Sequence, residues 1–222
     1  MKDKFNMTRE DMLFWAKRNV IDYIWKSANL EGISATYPDT ELIFEGLVPQ
    51  GFAVRDILSI NNLKRAWYFI SEHLDIEIDY ILICHINGII GGDDLIRRAG
   101  ILRRFPVRIG GTSWMPGLPE EEQVKGDINR ILTKYSTATE QAIELMLYCM
   151  RAQLFNDGNK RTAMMVANLL MMSKGVGVVS VPIEHQGEFR NKLVEYYEVG
   201  DNSHIKQFVY DYCIDGFNFE NE

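Results

Sequence analysis

Cysteine is scarce in this chain of 222 residues; only Cys84, Cys149 and Cys213 are present. Each sits among apolar residues, none forms a CxxC pair and none has metal-ligand spacing. That excludes a disulfide framework and a cysteine zinc site. An odd count of this kind predicts buried free thiols in a reducing compartment. Net positive charge is missing too. A formal charge of −7 argues against a nucleic-acid backbone or an anionic membrane as the main partner. No apolar run reaches membrane-spanning length, and Met1-Lys2-Asp3-Lys4 leads into a polar helix, not a signal core. Neither an internal repeat nor a low-complexity linker is found. The expectation is a cytoplasmic protein with no nucleic-acid or membrane partner.

What is present is helix. Apolar content of 46% is ample for a core, and the length suits one large domain or a domain with a helical extension. Met12, Leu13, Ala16, Val20, Ile24 and Trp25 recur at helical spacing and predict an amphipathic helix over 9–27. Residues 31–51 read as turns with a short helix near 40–44. Further helices are predicted over 52–73, 76–88, 120–133, 137–154, 159–173, 186–199 and 203–214. Gly91-Gly92-Asp93-Asp94 breaks the chain, with Asp93 or Asp94 as a candidate cap for the next turn. The one convincing extended segment is 105–119, where Val107 and Ile109 precede Gly110-Gly111 and predict a small hairpin. Residues 163–172 are apolar nearly all round, which places their helix at the centre of the domain.

The chemistry concentrates in Gln153-Leu154-Phe155-Asn156-Asp157-Gly158-Asn159-Lys160-Arg161. A glycine turn before a helix leaves unpaired backbone N–H groups and a positive dipole end, which together form an anion site. Asp157 can hold a divalent cation, and Lys160 and Arg161 can neutralise phosphate oxygens.

This run resembles the Fic/Doc family signature H-x-F-x-[D/E]-G-N-[G/K]-R. Every position fits except the first, where Gln153 replaces the histidine. A second arginine expected three residues after Arg161 is Met164; the Doc branch also lacks it and reads D-A-N-K-R-T-A, close to 157–163 here. Two further stretches support the resemblance. Ala99–Arg103 and the segment after it are similar to the family's flap, which pairs by its backbone with an extended stretch of a target protein; the matching backbone is Val107, Arg108, Ile109, Gly110 and Gly111. Ser27-Ala28-Asn29-Leu30-Glu31-Gly32 fits the inhibitory pattern [S/T]-x-x-x-E-[G/N], in which the glutamate enters the nucleotide site. The four-residue spacing puts Ser27 where it can support Glu31. With Met164 in place of the arginine, Glu31 would have to use Lys160 or Arg161. The likeness spans roughly residues 20–175.

The resemblance implies a mostly α-helical Fic-like fold with a small β-hairpin flap and an N-terminal inhibitory-type helix. Residues 1–51 would be the extension and 52–222 the Fic-like domain, in one compact unit. It implies a nucleoside triphosphate, ATP first, with Mg²⁺ on Asp157 and phosphate on Gly158, Asn159, Lys160 and Arg161. The reaction would be AMP transfer, or Doc-like phosphate transfer, to a protein hydroxyl. Gln153 weakens that expectation: an amide has no useful basicity at neutral pH, and losing a general base costs about 10²–10⁴ in rate. The other reading is a pseudoenzyme that binds nucleotide or a protein partner. Nothing in the spacing directs His73, His85, His185 or His204 toward residue 153.

Overall fold

The computed structural model describes residues 1–218. Among them the helices are α1 (Arg9–Leu30), α2 (Tyr37–Phe44), α3 (Val54–Glu72), α4 (Tyr80–Ile90), α5 (Glu121–Lys134), α6 (Ala138–Ala152), α7 (Asn159–Ser173), α8 (Gln186–Val199) and α9 (Ser203–Tyr212). Local sequence explains where several begin. The Thr8 hydroxyl accepts from the Asp11 N–H at 3.2 Å, and Asp79 accepts from the Leu82 N–H at 2.8 Å. Thr36 and Asp39 form a reciprocal capping box at the start of α2. The Asp79 cap is why α4 starts at residue 80 and not at 76.

Helix α7 is the axis of the molecule. Thirteen of its fifteen residues are buried, and α1, α3, α4 and α6 all pack on it. A helix apolar on every face has no solvent side to present, so its neighbours close around it. Asn168 is the polar exception in its middle. Its side chain accepts from the Val179 N–H at 2.6 Å and donates to the Val179 carbonyl at 3.0 Å. That pair anchors β1 (Val178–Val179), which runs antiparallel to β2 (Ile214–Asp215) with Val178 opposite Asp215. Met12, Ala16, Val20 and Ile24 of α1 and Ile43 of α2 join the same apolar cluster as the later helices.

Three expectations are corrected. The predicted hairpin at 107–111 does not form; the segment is irregular with a turn at Gly110-Gly111, and the small antiparallel sheet lies elsewhere, between β1 and β2. Pro106, Pro116 and Pro119 remove donors from that segment, and Arg103 donates to the carbonyls of Phe105, Pro116 and Gly117. Those interactions replace a strand ladder. Asp93 and Asp94 do not cap the turn that follows; both take left-handed backbone, with φ of 56° and 58°, and Asp93 pairs with Arg65 at 2.5 Å. Helix α6 stops at Ala152, because Gln153 turns left-handed at φ 48°. The three thiols are free, with Cys149 and Cys213 buried and Cys84 half-buried. Burial pushes both Cys149 and Cys213 up to about 12, so they stay protonated at neutral pH. No helix among the described residues is long and apolar enough to cross a membrane.

Candidate functional site

A cleft of about 590 Å³ opens at the start of α7. Gln153 and residues 156–160 line it from below, with Glu31 at the end of α1, Val107 to Gly110 on one side and Arg190, Leu193, Val194 and Tyr197 of α8 on the other. Gly158 makes the turn into α7 at φ 74°, and no side chain caps the helix. A Cβ there would lie 2.8 Å from Ile96 Cδ1 and 3.0 Å from Ile90 Cγ2, so both conformation and space demand glycine. The first N–H groups of α7 therefore have neither an intrahelical partner nor a side-chain cap.

Two asparagines hold this turn. Asn87, buried on α4, donates to the Asp157 carbonyl at 3.1 Å and to Thr162 Oγ1 at 3.0 Å, and accepts from the Gly100 N–H at 2.8 Å. Asn159 folds its side chain back, accepting from the Phe155 N–H at 2.9 Å and donating to the Phe155 carbonyl at 2.9 Å and Gln153 Oε1 at 3.1 Å. Its amide braces the loop, which leaves only the backbone N–H of Asn159 for a ligand.

The cations meet Glu31. Lys160 Nζ lies 3.2 Å from Glu31 Oε1, and Arg161 Nε lies 3.7 Å from Glu31 Oε2. Arg161 also donates from Nη1 to Ser59 Oγ at 3.2 Å. These ion pairs balance charge without completing hydrogen bonds: Glu31 Oε1 and Arg161 Nε are buried and have no hydrogen-bond partner. Such orphaned polar atoms are costly, about 1–3 kcal/mol each, unless a polar ligand meets them. Met164, at the position of the family's second arginine, is buried. Ser27 does not support Glu31 through its side chain; Ser27 Oγ is itself buried without a partner, and the link is the helical bond from the Glu31 N–H to the Ser27 carbonyl at 3.2 Å.

Asp157 is half-exposed and shared. Its Oδ1 accepts from the Gly158 N–H at 2.6 Å and lies 3.6 Å from Arg161 Nη2, while its Oδ2 lies 3.5 Å from Arg55. No cluster of three or more metal-ligating side chains gathers among the described residues. One carboxylate completed by substrate phosphates is the donor set Mg²⁺ accepts, so Asp157 fits that ion once the arginines release it.

Gln153 is committed at both ends. Its Nε2 donates to the Met150 carbonyl at 2.6 Å, its Oε1 accepts from Asn159, and its own carbonyl accepts from Arg103 Nε at 2.6 Å. It caps α6 and ties that helix to the start of α7. Tyr197 reaches Gln153 with its hydroxyl, and burial, reinforced by the Glu31 carboxylate, raises that phenol well above its ordinary value. A phenol so shifted stays protonated at neutral pH and is no base. None of the four histidines lines the cleft. His73 stacks on Phe69 at 4.5 Å, His185 lies 4.8 Å from Tyr212, and His204 Nδ1 is 3.0 Å from Glu195.

The flap segment is rooted at two points. Arg103, almost wholly buried, holds both of its limbs through their carbonyls. Burial also lowers the Arg103 pKa from its ordinary value. Glu198 accepts from Thr112 Oγ1 at 2.6 Å and Ser113 Oγ at 2.8 Å, bonds that hold its carboxyl below the usual range. Gly111 lies beside Val194 and outside the cleft lining. Sequence reasoning missed Asn87, Ser59, Arg190 and Tyr197. An asparagine inside the apolar run of α4 was a readable signal, since a buried amide demands partners. Helix α8 carried no motif at all.

Residues 77–171 match the family model described as the Fic/DOC family. Over 208 residues the chain is 29% identical to protein adenylyltransferase fic-1 of Caenorhabditis elegans, spanning 87% of this chain and 40% of that protein. Identity to the fic-1 of Caenorhabditis briggsae is 30% over 184 residues, spanning 77% of this chain and 35% of that protein. The chain thus spans about two fifths or less of the length of these curated relatives. A solved fragment of the C. elegans Fic-1 superposes with a TM-score of 0.72 at 25% identity, covering 88% of this chain and 60% of the fragment. A Fic-domain signalling protein from Bacteroides thetaiotaomicron superposes with a TM-score of 0.74 at 20% identity, covering 92% and 85%. At that identity the likeness concerns the fold.

Proposed function

Because residues 77–171 are a Fic/DOC family domain, we propose that the cleft binds a nucleoside triphosphate, ATP first, and serves AMP transfer to a protein hydroxyl. One observation carries the reading. The uncapped start of α7 and the cations Lys160 and Arg161 are balanced by an internal carboxylate, Glu31, with a buried donor and acceptor left unmatched. Glu31 stands where an anionic ligand fits, and it acts as an inhibitor that the ligand must displace. The adenylyltransferase names of the relatives support the type of transfer.

In this reading the first-turn N–H groups of α7, Lys160 and Arg161 stabilise charge on the phosphates. Asp157 would hold Mg²⁺, which supplies further neutralisation of the phosphate oxygens when bound. The backbone of Val107 to Ile109, on the cleft lining, holds the target segment beside the site. The target oxygen bonds to the α-phosphorus as the bond to pyrophosphate breaks, and pyrophosphate leaves. The hydroxyl proton has no acceptor in Gln153 and passes to solvent, which makes the step slow.

A second reading is favoured by Gln153 itself. An amide tied at both ends as a helix cap suits a pseudoenzyme that keeps the nucleotide site for binding alone. Titrating Mg-ATP into the wild type and Arg161→Ala tests both readings: binding lost on substitution supports the site, and no binding to the wild type or to Glu31→Gly refutes it. Transfer of α-phosphate label by Gln153→His then supports AMP transfer, whereas transfer of γ-phosphate label only would assign a Doc-like kinase.

A further inference from the structure

We propose that Arg190 of α8 binds the β- and γ-phosphates of the nucleotide in the same cleft, an inference that rests on the nucleotide reading above. Arg190 lines the cleft together with Lys160, and both cations converge on one oxygen. Arg190 Nη2 is 3.3 Å from the Leu30 carbonyl and Lys160 Nζ is 3.5 Å from it. Two like charges brought to one carbonyl repel each other, and the neighbouring anion that offsets this is Glu31. Displacing Glu31 would leave a pair of cations that an entering anion can balance.

Hydrogen bonding at Arg190 is one-sided. Its Nη2 donates to the Asn29 carbonyl at 2.9 Å, to Leu30 and to Gln186 Oε1 at 3.3 Å. Its Nε and Nη1 make no hydrogen bond among the described residues. Nη2 is thus anchored, while Nε and Nη1 each keep a donor that a phosphate oxygen can accept. Meanwhile Met164 leaves a buried apolar side chain where a second arginine would extend from α7. The third cation on the lining, Arg108, belongs to the flap turn and has no such anchor. Arg190 therefore supplies from α8 a guanidinium that α7 lacks. Because the same group holds the last turn of α1, it links phosphate binding to the helix end that carries Glu31.

The two roles of Arg190 pull the wild-type affinity in opposite directions, so the test is made in the Glu31→Gly background. Mg-ATP and AMP are titrated calorimetrically into Glu31→Gly alone and combined with Arg190→Ala, Arg190→Gln or Arg190→Lys. Arg190 is exposed, and the glutamine variant keeps its stem, so folding is preserved. The inference predicts an approximately tenfold loss of Mg-ATP affinity for alanine and glutamine, partial recovery for lysine, and unchanged AMP affinity. Unchanged Mg-ATP affinity in the alanine and glutamine variants overturns it. Equal losses for Mg-ATP and AMP also overturn it, by assigning Arg190 a purely structural role. Absence of nucleotide binding to Glu31→Gly itself would remove the site and this inference together.

Discussion

Replacing Glu31 by glycine removes the one carboxylate facing both Lys160 and Arg161. At 3.2 Å and 3.7 Å, and with an effective dielectric of about 20, the two attractions are worth about 5 and about 4.5 kcal/mol before desolvation. Desolvation and imperfect hydrogen bonding cancel most of this, leaving about 1.5–3 kcal/mol for a charged contact. In the nucleotide reading, the phosphates compete for the same two cations. Freeing them should tighten Mg-ATP binding by roughly 10- to 100-fold, equivalent to about 1.4–2.7 kcal/mol. Without ligand the same change should destabilise the protein by about 1–3 kcal/mol, because buried Arg161 keeps only the half-exposed Asp157 carboxylate at 3.6 Å to offset its charge. At about 2–4 °C per kcal/mol for a chain of this size, the melting temperature should fall and then recover on adding Mg-ATP. Calorimetric titration reads the first effect and a thermal melt the second. Glu31→Gln, which keeps the shape and removes the charge, should reproduce most of the gain. If neither variant binds Mg-ATP more tightly than the wild type, the reasoning is refuted. A gain for glycine without one for glutamine would assign the block to bulk and not to charge.

Gly158→Ala places a methyl within 2.8 Å of Ile96 at a left-handed backbone, and should cost about 1–3 kcal/mol in a denaturant melt while abolishing Mg-ATP binding. Arg103→Ala removes the guanidinium shared by Gln153, Phe105, Pro116 and Gly117; amide exchange across 105–117 should accelerate while that of α7 stays slow. Lys206→Met tests a pH effect. The hydrogen bond from Lys206 holds the Glu140 carboxyl below its ordinary value of 4.5. That stability is present above pH 4.5 and is lost as pH falls through the lower folded value. The variant should therefore lose less stability than the wild type on acidification below pH 4.5.

Much of this molecule was legible because its signals are local. Helix α7 matches its predicted span, since Gly158 starts it and an unbroken apolar run carries it. The extent of α1 was harder to read. The periodicity of its apolar residues ends near Trp25, yet the helix runs on to Leu30 and delivers Glu31 as its C-cap. The pairing of Glu31 with Lys160 and Arg161 followed from noticing Met164, a substitution visible in the sequence alone. Other features depend on contacts distant along the chain. Arg190 acts on carbonyls of Asn29 and Leu30, 160 residues or more earlier, and no spacing rule reaches that far. The hairpin failed for a more local reason: Val107 and Ile109 carry strand propensity, but the donors lost at Pro106, Pro116 and Pro119 and the Arg103 bonds to the carbonyls of Phe105, Pro116 and Gly117 decided the geometry.

The glutamine at 153 is the point where fold and chemistry separate. A neutral imidazole offers one donor and one acceptor, and so does the amide along the two contacts it makes here, to the Met150 carbonyl and from Asn159. Glutamine can therefore preserve the bracing of a histidine while abolishing its proton affinity. The left-handed backbone at φ 48° carries a modest strain cost for any non-glycine residue, so it does not discriminate between the two. The cradle behind it keeps its glycine turn, its cations and its carboxylate. If the absent base were the whole defect, Gln153→His should restore about 10²–10⁴ in transfer rate with little change in melting temperature. A variant that folds and binds Mg-ATP yet transfers nothing would place the defect in substrate positioning, with Met164 and the unladdered flap as the residues to change next.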